Sequence, residues 1–381
     1  MDVMIAGGGT GGHLFPGIAL AQELRRRDPE SRIVFVGTAR GIEKRAVPQA
    51  GFPLELLPVS GLRRVGWLGL VKGLLRLPLS LWWAFGLVRR VKPQVAVSVG
   101  GYAAGPAVLA ARLLGVRCVV MEQNAIAGFT NRVLGRVAHR VFAALPLAGV
   151  KSSKVSVVGN PVREDLISVR GQPYTAQDPL RLLVFGGSLG ARALNDATVG
   201  LVELARTEGF ACAVRHQTGR GDLARTLAAY GALGIEMTAA DEAQGRYTAE
   251  AGGVTVEVLP FIDDMARAYA ESDLVVCRSG ATTLAELTVC GRPSILVPFP
   301  FAVDDHQSQN ARTLVARGAA ELLPESELGA QVLLDRISGL RAEPGTLEAM
   351  AEAARRAGNP RAAQDIADSL AELVGTGGAH V

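Results

Sequence analysis

The sequence predicts a doubly wound α/β protein in which the same architecture occurs twice, and three observations carry that prediction. Short apolar runs of strand length recur between longer helical patterns, and several of them, such as Arg181 to Phe185, are nearly continuous in apolar residues. A strand also leads into a glycine-rich turn and then a helix at two separate places, Gly7 to His13 and Gly186 to Gly190. Alternating strands and helices imply parallel sheets, and continuously apolar strands suit a sheet covered by helices on both faces.

In chain order, strands are expected at Val3 to Ala6, Arg32 to Val36, Val95 to Val99, Arg117 to Met121, Leu182 to Phe185, Leu274 to Cys277 and Ser294 to Val297. The chain of 381 residues is long enough for two domains, each with its own core. The polar stretch from Asn160 to Asp178, with Pro161 and Pro173, reads as the hinge, so the expected domains are 1-162 and 163-360. A helical pattern from Leu347 to Val374 is interrupted at Pro360, and its last part, about 360-381, either closes the second domain or crosses back onto the first.

Composition excludes several classes. With 49% hydrophobic and 20% charged residues the chain is neither disordered nor fibrous. Cys118, Cys212, Cys277 and Cys290 form no CxxC pair, so buried reduced thiols are expected rather than a zinc ribbon or a disulfide framework. The first strand follows Met1 and Asp2 directly, with no signal-peptide pattern, which favours the cytoplasm. Residues 1 to 160 hold 21 Lys and Arg against 7 Asp and Glu, whereas the remainder holds 19 against 29. Such a split suggests that the first half meets something anionic, although a solvated basic surface has the same composition.

Residues 62-92 concentrate that charge: seven Lys and Arg, no acid, and all three tryptophans, Trp67, Trp82 and Trp83. The longest uncharged run, Leu77 to Val88, contains Pro78 and falls well short of the roughly 20 residues that span a bilayer. Apolar and aromatic side chains between basic flanks describe a segment lying at an anionic leaflet, with a core helix as the alternative. An RNA-binding pattern is absent.

The turn Gly7 to His13 contains G-x-G-x-x-G after a strand and before a helix, the dinucleotide fingerprint. The acid expected after the second strand is missing, where the chain reads Val36-Gly37-Thr38, and that argues against a nicotinamide enzyme. His13 stands where the turn enters the helix, at the edge of the sheet where ligands bind, so it is a candidate general base as well as a candidate loop anchor. The second turn, Gly186 to Ala191, offers Ser188 and backbone donors to a diphosphate. Cys277 to Leu287 places Ser279, Thr282 and Thr283 at another helix start, and Glu286 suits either the hydroxyls of a ribose or a capping box with Thr283. Asp304, Asp305, His306, Gln307 and Asn310 follow the Pro298-Phe-Pro loop, with neither a second His at ligand spacing nor a D-x-D pair, so no metal is expected.

Taken together, GGTGGH (Gly8 to His13), MEQN (Met121 to Asn124), GNPVR (Gly159 to Arg163), GGSLGA, FIDDM (Phe261 to Met265), CRSGATTLAEL and DDHQ with Asn310 resemble glycosyltransferase family 28. The resemblance is to the peptidoglycan enzymes that move N-acetylglucosamine from UDP-GlcNAc to undecaprenyl-diphospho-MurNAc-pentapeptide, lipid I, to make lipid II. It runs from residue 7 to about 312, and its departure is Met121, where some relatives carry His. It implies a GT-B fold, two Rossmann-like domains facing across a cleft, with acceptor on the first and nucleotide sugar on the second.

By the same resemblance, His13 is the base for the acceptor C4 hydroxyl in an inverting transfer; the sequence itself leaves a second base, such as Glu122, open. Thr10, Gly11, Gly12, Asn124, Arg163, Ser188 and Gln307 contact sugar or diphosphate, backbone at Ile262 reads uracil, and Ala281, Thr282, Thr283, Leu284, Ala285 and Glu286 complete the donor site. No cofactor is implied. The basic stretch would dock on anionic lipid at the cytoplasmic face of the plasma membrane, as a peripheral protein near other cell-wall synthesis and division proteins. The rival readings are another GT-B transferase, a dinucleotide oxidoreductase and a noncatalytic membrane scaffold.

Overall fold

The computed structural model describes residues 1-39, 41-58, 67-147, 152-187 and 189-375, with the side chains of the helix beginning at 67 described from 78 onward. The chain divides into two compact units, Met1–Arg163 with Asn359–Val381, and Glu164–Gly358. Each is an α/β unit around its own sheet.

In the amino-terminal unit the elements are β1 (Asp2–Gly7), α1 (Gly11–Arg27), β2 (Arg32–Gly37), α2 (Glu43–Gln49), β3 (Leu54–Leu56), α3 (Trp67–Val91), β4 (Val95–Gly100), α4 (Ala104–Leu113), β5 (Arg117–Glu122), α5 (Phe129–Val137), β6 (Arg140–Ala143) and β7 (Val155–Val157). All pairings are parallel, in the order β3-β2-β1-β4-β5-β6-β7. Val3 and Ile5 of β1 face one core with Leu14 and Leu24 of α1, while Met4 and Ala6 face another with Leu87 of α3 and Val108 of α4. Helices on both sides explain why β1 is apolar at alternate and intervening positions alike.

The second unit holds α6 (Glu164–Val169), β8 (Leu180–Phe185), α7 (Arg192–Glu208), β9 (Cys212–Gln217), α8 (Leu223–Ala232), β10 (Thr238–Asp241), β11 (Arg246–Ala251), β12 (Val254–Leu259), α9 (Met265–Ala270), β13 (Leu274–Cys277), α10 (Ala281–Cys290), β14 (Ser294–Leu296), α11 (His306–Val315), β15 (Ala320–Leu322), α12 (Ala330–Ala342) and α13 (Thr346–Ala357). Its sheet runs β10-β11-β12-β9-β8-β13-β14-β15. As expected, the sheet is parallel from β12 through β15, and β10 and β11 extend it antiparallel at one edge. The stretch from Asn160 to Asp178 contains α6.

After Pro360 the chain forms α14 (Ala362–Gly375), which belongs to the amino-terminal unit. Ile366 and Leu370 are buried in the core with Leu24, each worth about 1.5–3 kcal/mol of burial. Arg27 of α1 donates to Asp368 and to the Gln364 carbonyl, and Arg140 pairs with Glu372. All four cysteines are buried and in no disulfide.

Candidate functional site

Both sheets reverse direction of strand addition beside their first strand, and such a switch point opens a crevice at the carboxyl ends of the strands. In the amino-terminal unit it lies between β1 and β4, which places the turn after β1 against the end of β4. Thr10 is the N-cap of α1, yet its side chain does not cap the helix. Its hydroxyl lies 3.0 Å from His13 Nδ1. The contact orients the ring, and with Nδ1–H donating to Thr10 Oγ1 it is Nε2 that is the basic ring nitrogen. The imidazole lies over Gly100, whose φ is +90° and where an added Cβ would stand 2.8 Å from His13 Cδ2. Only glycine satisfies both constraints. Gly11 and Gly12 form the first turn of α1.

A residue that sequence reasoning missed holds this turn. Glu43 of α2 is fully buried and accepts from Gly9 N and from Thr38 N and Oγ1, all at 2.9 Å. Burial pushes its carboxyl up, but the backbone N–H groups of Gly9 and Thr38 outweigh that and leave it below its ordinary value. An acid therefore does stand at the end of β2, supplied from α2 rather than by the strand. It is turned onto the loop backbone.

Asn124 follows β5, and both its N–H and its amide nitrogen donate to Glu122 Oε1, at 3.0 and 3.3 Å. Glu122 is 2% exposed and also accepts from Gly128 N and Asn131 Nδ2. Four donors converge on this carboxylate, so its work is to fold the loop from 122 to 131, and the second-base reading is not supported. Arg163 is half-buried at the end of the amino-terminal unit. The Gly159 segment before it is tied to the start of the last helix by Asn359 Nδ2, which donates to the Val158 carbonyl.

In the second unit the switch point lies between β8 and β13. Ser188 lies outside the described residues. The turn around it is pressed against the one after β9: at Gly190, φ +78°, a Cβ would meet the Thr218 carbonyl oxygen at 2.0 Å. Below, His216 is fully buried, with Nδ1 3.2 Å from Tyr230 Oη and Nε2 3.0 Å from Asn195 Oδ1. Burial lowers His216 to about 3, so the ring is neutral. Asn195 Nδ2 in turn donates to the Thr218 carbonyl and to Asp222.

After β13, α10 begins at Ala281 with Gly280 as N-cap. Thr283 is therefore inside the first turn, and the capping-box reading of Thr283 with Glu286 fails. Ala281 and Leu284 have buried side chains, the Leu284 N–H is taken by the Gly280 carbonyl, and Thr282 and Thr283 are half-buried at the helix start. Ala285 and Glu286 are half-buried one turn on, and Glu286 Oε2 accepts from Tyr269 Oη. Gln307 accepts from Phe299 N through Oε1 and from Ser279 Oγ through its carbonyl. Before it, Asp304 and Asp305 hold φ of +54° and +51°, an unusual pair for residues with a Cβ. Ile262 N donates to Gln217 Oε1.

The basic stretch falls partly outside the described residues, which omit 62-66 and the side chains of 67-77, Trp67 included. The rest of α3 buries Ala84, Leu87 and Val88 and exposes Trp82 by 69% and Trp83 by 53%. No helix among the described residues is long and apolar enough to cross a membrane.

Residues 3–143 match the model of the glycosyltransferase family 28 N-terminal domain, and residues 181–368 match that of the family's C-terminal domain. A Myxococcus xanthus (strain DK1622) protein named UDP-N-acetylglucosamine--N-acetylmuramyl-(pentapeptide) pyrophosphoryl-undecaprenol N-acetylglucosamine transferase is 47% identical, over 98% of this chain and 93% of its own. The protein of that name from Syntrophus aciditrophicus (strain SB) is 42% identical over 98% of both. Among solved structures, that of Acinetobacter baumannii MurG matches with a TM-score of 0.77 at 32% identity, covering 97% of this chain and 99% of that one. The UDP-GlcNAc 2-epimerase from Neisseria meningitidis, bound to UDP-GlcNAc, matches with a TM-score of 0.64 at 14% identity, over 98% of this chain and 100% of that one, a likeness of fold alone.

Proposed function

The chain belongs to glycosyltransferase family 28, and from that premise we propose that it transfers N-acetylglucosamine from UDP-N-acetylglucosamine to the N-acetylmuramyl-(pentapeptide) pyrophosphoryl-undecaprenol acceptor of its relatives. It is a GT-B glycosyltransferase of peptidoglycan precursor synthesis, and the product is lipid II. The observation that carries this reading is the end-to-end likeness to relatives named for the transfer.

The amino-terminal unit takes the lipid-linked acceptor and the second unit the donor. His13 Nε2 removes the proton of the acceptor C4 hydroxyl, whose oxygen bonds to the anomeric carbon as the bond from that carbon to the phosphate oxygen breaks. UDP leaves and the configuration inverts. The charge that develops on the diphosphate is met by the N–H groups at the starts of α7 and α10 and by Arg163. Thr10, Gly11, Gly12, Asn124, Ser188 and Gln307 complete the sugar and diphosphate contacts, Ile262 backbone meets uracil, and Glu286 holds the ribose hydroxyls.

The exposed tryptophans of α3 and the basic residues beside them support a peripheral association with anionic lipid at the cytoplasmic face of the plasma membrane, near other cell-wall synthesis and division proteins. The test of the reaction is the product: NMR of the disaccharide made from UDP-GlcNAc and a short-chain acceptor should show one β linkage to the muramyl C4. An α linkage, or another position, would contradict the mechanism.

A further inference from the structure

Gln217 closes β9, and its side chain joins two loops that the sheet order sets on either side of it. The register pairs Gln217 with Phe185 at the end of β8 and with Leu259 at the end of β12. From there Nε2 donates to the Gly187 carbonyl at 2.9 Å, inside the glycine-rich turn, and Oε1 accepts from Ile262 N at 3.0 Å, inside the loop after β12. Gln217 is 3% exposed. Rotating the amide by half a turn would set oxygen against the Gly187 carbonyl and NH2 against the Ile262 N–H, so both partners fix its orientation.

We infer that Gln217 is a positioning residue for the donor nucleotide, setting the spacing between the peptide that meets the base and the turn that meets the diphosphate. The inference rests on the nucleotide-sugar reading above. It follows from the chemistry of one amide: the acceptor half orients the Phe261–Ile262 peptide, and the donor half orients the Gly187 carbonyl and with it the turn leading to α7. A nucleoside diphosphate engages both loops at once, so it gains from the fixed spacing. A ligand that lacks the second phosphate, or presents the wrong base edge, gains less. With its N–H held by Gln217, the peptide has its carbonyl for the base, and this accepts from uracil N3–H where cytosine has a bare nitrogen, so a well-oriented peptide separates them.

The two halves are separated by two substitutions in the full chain. Gln217→Leu removes both bonds. Gln217→Glu keeps an acceptor for Ile262 N–H and, when ionised, has no proton for the Gly187 carbonyl. Affinities for UDP, UMP and CDP are measured by calorimetry, with thermal melting as the check on folding. Gln217→Leu is expected to weaken UDP about tenfold and to reduce both the UDP-over-UMP and the UDP-over-CDP ratios. Gln217→Glu is expected to reduce the UDP-over-UMP ratio while retaining most of the UDP-over-CDP ratio. Should Gln217→Leu fail to fold, the Glu variant decides alone.

Unchanged ratios in the folded variants, or a uniform weakening of all three ligands, would overturn the positioning role and leave Gln217 as ordinary packing. Loss of base discrimination in Gln217→Glu as complete as in Gln217→Leu would overturn the division of labour between the two halves. A native chain that does not prefer UDP to CDP would instead refute the donor reading itself, a result distinct from failure of the Gln217 role.

Discussion

The Tyr269 hydroxyl donates to Glu286 Oε2 at 3.0 Å from a fully buried position. Burial first, and the neighbouring Glu286 charge second, hold the phenol protonated far above its usual range, so the tyrosine is the donor. One carboxylate oxygen is thereby fixed while the group remains half-buried at the first turns of α10. Tyr269→Phe should raise KM for UDP-GlcNAc about tenfold to a hundredfold, the scale of one hydrogen bond to a charged group, and leave kcat within about twofold. A 2′-deoxy donor should lose less from the substitution than the ribose donor. Steady-state kinetics with both donors checks this, and equal losses would remove the ribose role of Glu286.

His13→Ala should lower kcat by about 10² to 10⁴ while UDP affinity stays within about twofold, because proton removal is lost and the helix-start contacts remain. Thr10→Val should lower kcat less, by about tenfold, since it removes only the hydroxyl at Nδ1. Thr10→Ser should restore most of it. Calorimetry beside turnover separates binding from chemistry. Equal loss of both in His13→Ala would refute the base assignment.

Arg89→Glu should weaken association with anionic vesicles about fivefold or more, as expected for a change of roughly 1 kcal/mol per charge, while turnover of a short-chain soluble acceptor is unchanged. Arg90 is the less clean probe, because it pairs with Glu55 at 2.8 Å and its reversal also sets two carboxylates together. Vesicle co-sedimentation at two salt concentrations reads the effect. Unchanged sedimentation of the Arg89 variant would rule out this face of α3 as the lipid contact.

His216 makes a prediction about pH. Its folded value of about 3 lies below the ordinary 6.5, so the unfolded chain binds the extra proton between those values. The stability this group contributes is complete above pH 6.5 and is lost as pH falls, at about 1.4 kcal/mol per pH unit. Denaturant melts from pH 7.5 to 5 should show that slope, and His216→Gln should flatten it by about one proton. An unchanged slope in the variant would mean that other groups carry it.

The internal strands were legible because burial on both faces leaves nearly every residue apolar. The strand expected at Leu274 to Cys277 spans the same residues in the fold, and β1 extends its expectation by one residue at each end. The edge strands were not, since β10 and β11, with sequences TAAD and RYTAEA, lie at or near an edge and carry polar residues. The glycine turns and His13 were readable as local patterns. Glu43, Gln217 and Tyr269 were hidden because register and packing create their roles: Glu43 reaches back 34 residues to Gly9, and Gln217 reaches forward 45 to Ile262. Thr283 and Glu286 show the converse, a local capping signature overridden when the helix starts three residues earlier than the signature requires, at Ala281.

The most direct test is transfer of labelled sugar from UDP-GlcNAc to a lipid I analogue, with EDTA present and UDP-glucose in excess as competing donor. The account predicts labelled lipid II, formed despite EDTA and little reduced by UDP-glucose. No transfer by a chain that still binds UDP-GlcNAc would contradict the assigned acceptor, and transfer of glucose as readily as N-acetylglucosamine would contradict the assigned donor.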